Sequence, residues 1–201
     1  MAFPDWTDLR YLAAGTPRQH AAYRALCDLA VVDRLRQYGP VLFGTIPLHI
    51  DIPTSDLDII CEMHDPDQFA AYVEAAFGSQ SGFRLKHTIT NDLPTVTANF
   101  DYPTADVPPG FPIEIFGQPR PVTAQHAYRH MVVEARLLRL GGEQARTAIR
   151  DLKLQHGLKT EPAFARYFGL AGDPFVTLLA LADLDDAALQ AAVGLGGIPG
   201  I

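Results

Sequence analysis

An apolar run, Val41-Leu42-Phe43, stops at Gly44-Thr45, and after a stretch stiffened by Pro47 and Pro53 the chain resumes as Ser55-Asp56-Leu57-Asp58-Ile59-Ile60. This pattern constrains the fold more than any other. Val41 to Gly44 is short enough for one strand. Asp56 to Glu62 alternates with period two and is rich in β-branched residues, which predicts a second. Alternation puts Asp56 and Asp58 on one face and Leu57 and Ile59 on the other. Two carboxylates about 6 to 7 Å apart along a strand resist joint ionisation unless a cation or hydrogen-bond donors offset them. An Asp-x-Asp on the open face of an otherwise apolar strand is therefore a metal-site candidate. The alternative is surface charge at a strand end.

The rest of the chain supplies helices to cover such strands. A short helix is predicted over residues 7–14, ending at Gly15. Thr16-Pro17 starts another, with a cap followed by proline at the first helical position. Its apolar stripe runs through Ala21, Leu26, Leu29 and Leu35 to Gly39-Pro40. Asp65-Pro66 opens a third helix, closed by Gly78. Residues 83–90 and 95–102 read as a hairpin around Asn91-Asp92. A proline-rich loop follows, then a short strand over 113–116 carrying Glu114. This order predicts an α+β (α/β) architecture, a mixed sheet with helices packed on it. Everything later reads as helical: 124–140, a break at Gly141-Gly142, 143–155, a helix capped by Thr160, and one after Asp173-Pro174. The expected organisation is a sheet domain over 1–120, a helical region over 121–185 and a C-terminal tail over 186–201, whose end, 193–201, is expected to fray.

Composition narrows the partners. In 201 residues, 48% are hydrophobic and 19% charged, as in an ordinary globular protein. No apolar run reaches the length of a membrane span, and the first residues carry acids where a leader needs a basic start; a cytoplasmic protein with no membrane contact is expected. Cys27 and Cys61 lie within apolar patterns and are expected to be buried free thiols. The net charge of −7 argues against binding bulk nucleic acid. Residues 121–160 run against this trend, with seven Arg and Lys against three Asp and Glu. Arg146, Arg150 and Lys153 share one helical face, and Lys159 follows Gly157. They are candidate phosphate ligands, or else a solvated face.

Gly44-Thr45, then Asp56 twelve residues after the glycine, then Asp58, resembles the Gly-Ser/Thr … Asp-x-Asp signature of the DNA polymerase β-like nucleotidyltransferase superfamily. Ile113-Glu114-Ile115 fits its third-carboxylate slot. The chain also resembles an uncharacterised bacterial family within that superfamily, through its Gln-x-Ala-Tyr-Arg-His-Met and Lys-Thr-Glu-Pro-Ala-Phe-Ala stretches. The resemblance implies a nucleotidyltransferase palm in which Asp56, Asp58 and Glu114 hold Mg²⁺ or Mn²⁺. Gly44 and Thr45, with Ser55 as a weaker candidate, would present backbone N–H groups and hydroxyls to a nucleoside triphosphate. Arg150, Lys153 and Lys159 would add charge. Asp51 has the same local look but falls in the connecting loop, and Asp101 is a weaker rival to Glu114.

His126, His130 and Glu134 line up at successive helical turns. With Arg129 they are expected to form a polar face toward the cleft rather than a zinc site.

Three readings follow. The first is transfer of a nucleoside monophosphate from an NTP to a hydroxyl of a small molecule or a protein, using a two-metal, three-carboxylate site. The second is a regulatory or antitoxin-like binding protein of the same fold. It is motivated by residues 46–54, which offer only His49 where many relatives carry a basic residue. The third is a metal-dependent phosphate-ester hydrolase. Oligomeric state is not legible.

Overall fold

The computed structural model describes residues 3–193. A 3-10 helical turn, Leu9–Ala14, precedes α1 (Pro17–Asp28). Thr16 caps α1, and its hydroxyl accepts from the Gln19 N–H while the Gln19 side chain accepts from the Thr16 N–H. This is the reciprocal box that threonine and glutamine three apart can form. The predicted stripe does not continue as one helix to Gly39. Ala30 takes a left-handed φ of 50°, and the chain restarts as α2 (Val31–Arg34) and a second 3-10 turn, Arg36–Tyr38.

Five strands then form one sheet: β1 (Val41–Phe43), β2 (Leu57–Glu62), β3 (Ser81–Thr90), β4 (Leu93–Tyr102) and β5 (Phe111–Gln118). Their order is β1-β2-β5-β4-β3. Only β2 and β5 run parallel. The β3–β4 turn places Asn91 and Asp92 at φ 52° and 61°, the left-handed pair that matches strand twist in two-residue hairpins. β5 is twice its predicted length, because Phe111, Pro112 and Gly117 also pair with β4, and Gln118 pairs with Glu62 of β2.

One face of the sheet carries Leu57, Ile59, Cys61, Ile113, Ile115, Val96, Ala98 and Phe100, all buried. They share a core with Leu26 of α1 and with Phe69, Val73 and Phe77 of α3 (Pro66–Phe77). The three α3 side chains are fully covered, and burial of each contributes about 1.5–3 kcal/mol. Burying this face leaves the other, with Asp58 and Glu114, for polar work.

The helical part comprises α4 (His126–His156), α5 (Thr160–Phe168), α6 (Pro174–Ala182) and α7 (Asp186–Ala192). The expected break in α4 appears as a kink at Gly142, at φ 63° and ψ −154°. Lys159, not Thr160, occupies the cap position of α5. The tail expectation is corrected over its first part: Asp185 caps α7, and Leu189 is fully buried. Residues 194–201 lie outside the described residues. Two compact units emerge. One takes in the chain up to Pro47 together with Ser55–Gln125, and the other takes in Leu48–Thr54 together with the chain from His126. Among the described residues no helix is long and apolar enough to cross a membrane.

Candidate functional site

The site begins at a turn. β1 ends at Phe43, the ladder partner of Asp58. Gly44 then adopts φ +89°, and a Cβ there would lie 3.0 Å from Oδ2 of Asp58. Any other residue would be strained by that φ and crowded by the carboxylate. Glycine thus lets backbone and carboxylate close on one another. Thr45 donates from its hydroxyl to that of Ser55 at 3.1 Å, so the two ends of the 46–54 stretch are drawn together.

Helix α1 holds both ends. Arg18 donates from Nη2 to the Ser55 carbonyl at 3.1 Å, and its guanidinium lies 5.0 Å from the ring centroid of Phe111. Gln19 donates from Nε2 to the Ile46 carbonyl at 2.8 Å. Sequence reasoning missed both residues. The spacing of Thr16 and Gln19 carried a signal for the second; nothing local marked Arg18.

Asp58 and Glu114 are direct partners in the parallel ladder of β2 and β5. Adjacent strands are about 4.8 Å apart, so the carboxylates rise side by side from one face. Asn99 of β4 is the next partner in the row, and its Nδ2 donates to Oε2 of Glu114 at 3.0 Å. Arg84 of β3 ends the row, exposed. Asp58, Glu114 and Asn99 are all half-buried, sheltered enough to strengthen their interactions yet open to a ligand. Asn99 was another omission, although the alternation of β4 places it on the polar face.

Asp56 immediately precedes β2 and is exposed. The strand begins one residue later than expected, so the ladder fixes Asp58 and not Asp56. Among the described residues no group of three or more His, Cys, Asp or Glu is arranged to hold a metal ion. The carboxylate pair and the Asn99 amide form an all-oxygen acceptor face with one supporting donor, a donor set whose chemistry fits Mg²⁺ or Mn²⁺.

The cations of α4 have a defined task. Arg146 donates to the Leu48 carbonyl, Arg150 from Nε to the Asp51 carbonyl at 3.1 Å, and Lys153 from Nζ to the Ile50 carbonyl at 3.2 Å. Where the sequence suggested phosphate ligands, Arg150 and Lys153 donate to loop carbonyls, and Lys153 is 6% exposed. Lys159 is exposed at the start of α5. Asp51 is buried within this clamped loop.

The polar face expected of α4 also has a structural use. Arg129 bonds Asp183 at 2.6 Å and the Leu179 carbonyl at 3.3 Å. His130 pairs its Nε2 with the Phe175 carbonyl at 3.0 Å, and its Nδ1 lies 3.6 Å from Glu161. Both residues tie α4 to α6. His126 is half-buried at the first position of α4. Glu134 is buried; loss of water and the nearby Glu161 carboxylate push its pKa well above the glutamate range, against the pull of Lys153. Of the two cysteines, Cys61 is buried, as expected, and burial raises its thiol pKa. Cys27, expected to be buried, is exposed on α1.

Comparison with known proteins agrees with this architecture. Cid1 poly(U) polymerase, in a structure with MgGTP, matches at a TM-score of 0.52 and 14% identity over 81% of this chain and 48% of that one. Cid1 with its short product ApU also matches at 0.52, with 15% identity over 90% and 54%. A further Cid1 structure gives 0.50 and 15% identity over 80% and 49%. The likeness is one of fold, and the chain spans about half the length of these proteins. No curated protein matches. A family model described as a domain of unknown function, DUF4269, matches residues 24–181, and the chain belongs to that family.

Proposed function

We propose that the protein transfers a nucleoside monophosphate from an NTP to a hydroxyl of a small molecule or a protein. The observation that carries this reading is the close approach of Gly44 to the Asp58 carboxylate, beside the ladder pair Asp58–Glu114. A side chain at residue 44 would fill the space that a phosphate needs. The fold shared with Cid1, seen with MgGTP and with its product ApU, supports the same class of chemistry.

Asp56, Asp58 and Glu114 would hold Mg²⁺ or Mn²⁺, which when bound neutralises triphosphate charge and lowers the pKa of the attacking hydroxyl. Gly44 and Thr45 present the turn to the phosphates. Ser55 orients Thr45 through their shared hydrogen bond. Asn99 holds Oε2 of Glu114 and leaves Oε1 to accept the proton of the incoming hydroxyl. Arg150 and Lys153 contribute by fixing the loop that follows the turn.

A second reading, nucleotide binding without turnover, is favoured by the engagement of Arg150 and Lys153 with the protein's own carbonyls. Incubation with α-labelled ATP, GTP, CTP and UTP, Mn²⁺ and a panel of alcohols separates the two. The first reading expects labelled acceptor and free pyrophosphate, both lost in Asp58→Ala. Metal-dependent binding with no release of pyrophosphate selects the second.

A further inference from the structure

β3 stands at the edge of the sheet, and among the described residues no strand pairs with its outer side. Natural edges are commonly blunted by short strands, prolines or a covering segment. β3 instead has ten residues, as many as β4 and more than β1, β2 or β5, and it contains no proline. The run from Arg84 to Thr90 pairs with β4 without a register shift; the shift falls earlier, between Ser81 and Arg84. Within that run only Leu85 and Thr90 are half-buried. The others are exposed, Ile89 at 69%.

The ladder fixes which backbone groups face outward. Pro94 is the partner of Ile89 and has no N–H to donate. A hydrogen-bonded pair in an antiparallel ladder exchanges both N–H bonds, so Ile89–Pro94 is a non-hydrogen-bonded pair. By alternation, so are the pairs of His87 and Leu85. The N–H and C=O groups of Leu85, His87 and Ile89 therefore point away from β4, toward the open side. Side chains follow the same period: Arg84, Lys86 and Thr88 share one face, and Leu85, His87 and Ile89 the other. Neither Arg84 nor Lys86 makes an ion pair or a side-chain hydrogen bond among the described residues. β3 holds no Asp or Glu, in a chain whose net charge is −7.

We propose that the outer edge of β3 docks an extended acidic segment of a partner protein, which joins the sheet as a further strand. Main-chain bonds to Leu85, His87 and Ile89 supply the pairing. Carboxylates at alternate positions of the segment lie across from Arg84 and Lys86, and apolar side chains between them lie across from Leu85 and Ile89. Charge and backbone together select this occupant. A second copy of β3 would set Arg and Lys against Arg and Lys, which destabilises a strand pair. A nucleic acid would meet the two cations but leave the row of peptide groups unpaired. The docking uses none of Asp56, Asp58 and Glu114 and does not depend on nucleotidyl transfer.

A short peptide of alternating Glu and Val tests the edge, titrated into the labelled protein while backbone amide shifts and amide exchange are followed. Binding is expected to move the amides of Leu85, His87 and Ile89 and to slow their exchange. The same peptide with Lys in place of Glu is expected to bind about tenfold more weakly, because two exposed ion pairs become two repulsions. The double substitution Arg84→Glu and Lys86→Glu should reverse that order. His87→Pro removes one outward N–H without breaking the ladder to β4, a change an edge strand tolerates, and should abolish docking; circular dichroism checks its fold, and the charge reversal stands as the test if the proline variant does not fold. Absence of binding by the Glu peptide, affinity indifferent to the charge reversal, binding that survives His87→Pro in the folded variant, tighter binding of a short oligoribonucleotide at Arg84 and Lys86, or self-association of the protein through β3 would overturn the proposal.

Discussion

Asn99 donates from Nδ2 to Oε2 of Glu114 at 3.0 Å, and Glu114 is in turn the ladder partner of Asp58. The bond fixes the rotamer of a carboxylate whose other oxygen stays open. Asn99→Leu should therefore lower nucleotidyl transfer or Mn²⁺ affinity by about 10- to 100-fold, as removal of an outer-shell partner does. Asn99 is half-buried, so the thermal midpoint should change little. Transfer assays and Mn²⁺ titration check this; unchanged Mn²⁺ affinity would count against the metal assignment.

Gly44→Ala puts a methyl group at φ +89° and 3.0 Å from a carboxylate oxygen. The left-handed conformation alone costs an alanine about 1–2 kcal/mol. Urea denaturation should show a loss of that order, and nucleotide binding should fall further than stability explains. A variant with wild-type nucleotide affinity would remove the role given to the turn.

Much of this was legible in the residues. The alternation of Asp58 with Leu57 and Ile59 marked a strand with carboxylates on one face, and Ile113-Glu114-Ile115 marked its counterpart. What was not legible is contact between distant segments. Arg18 and Gln19 were not singled out, yet they donate to the carbonyls of Ser55 and Ile46. Arg150 and Lys153 read as free cations, because only the folded chain brings the carbonyls of Asp51 and Ile50 to them. Position along a helix defines a face but not what the face meets. The continuous stripe from Ala21 to Leu35 likewise gave no sign of the left-handed turn at Ala30.

The loop clamp predicts a local effect. Lys153→Met keeps the buried stem and removes the donor to Ile50. An unsatisfied carbonyl costs about 1–3 kcal/mol. Amide exchange should quicken over residues 48–54 more than in α5 or α6. Uniform acceleration across the helices would show that Lys153 supports the unit as a whole and not the loop.

Glu134 predicts a pH dependence. Its folded pKa lies well above the ordinary 4.5, with burial the main cause. Its contribution is fully present below the unfolded pKa, where the carboxyl is neutral in both states, and is lost as pH rises through the folded value. Glu134→Gln cannot ionise. The stability of the variant relative to wild type should therefore rise with pH above about 5. Thermal melts of both proteins across the range check this; a constant difference would mean that Glu134 does not titrate with folding.

Asp58 and Glu114 are proposed to form a divalent-metal site that receives an NTP beside the Gly44 turn. Calorimetric titration of the four NTPs with and without Mn²⁺, on wild type and Asp58→Asn, tests it most directly. Binding of at least one NTP is expected to require Mn²⁺ and to disappear in Asp58→Asn while the fold persists. Binding that ignores the metal, or that survives the substitution unchanged, would contradict it.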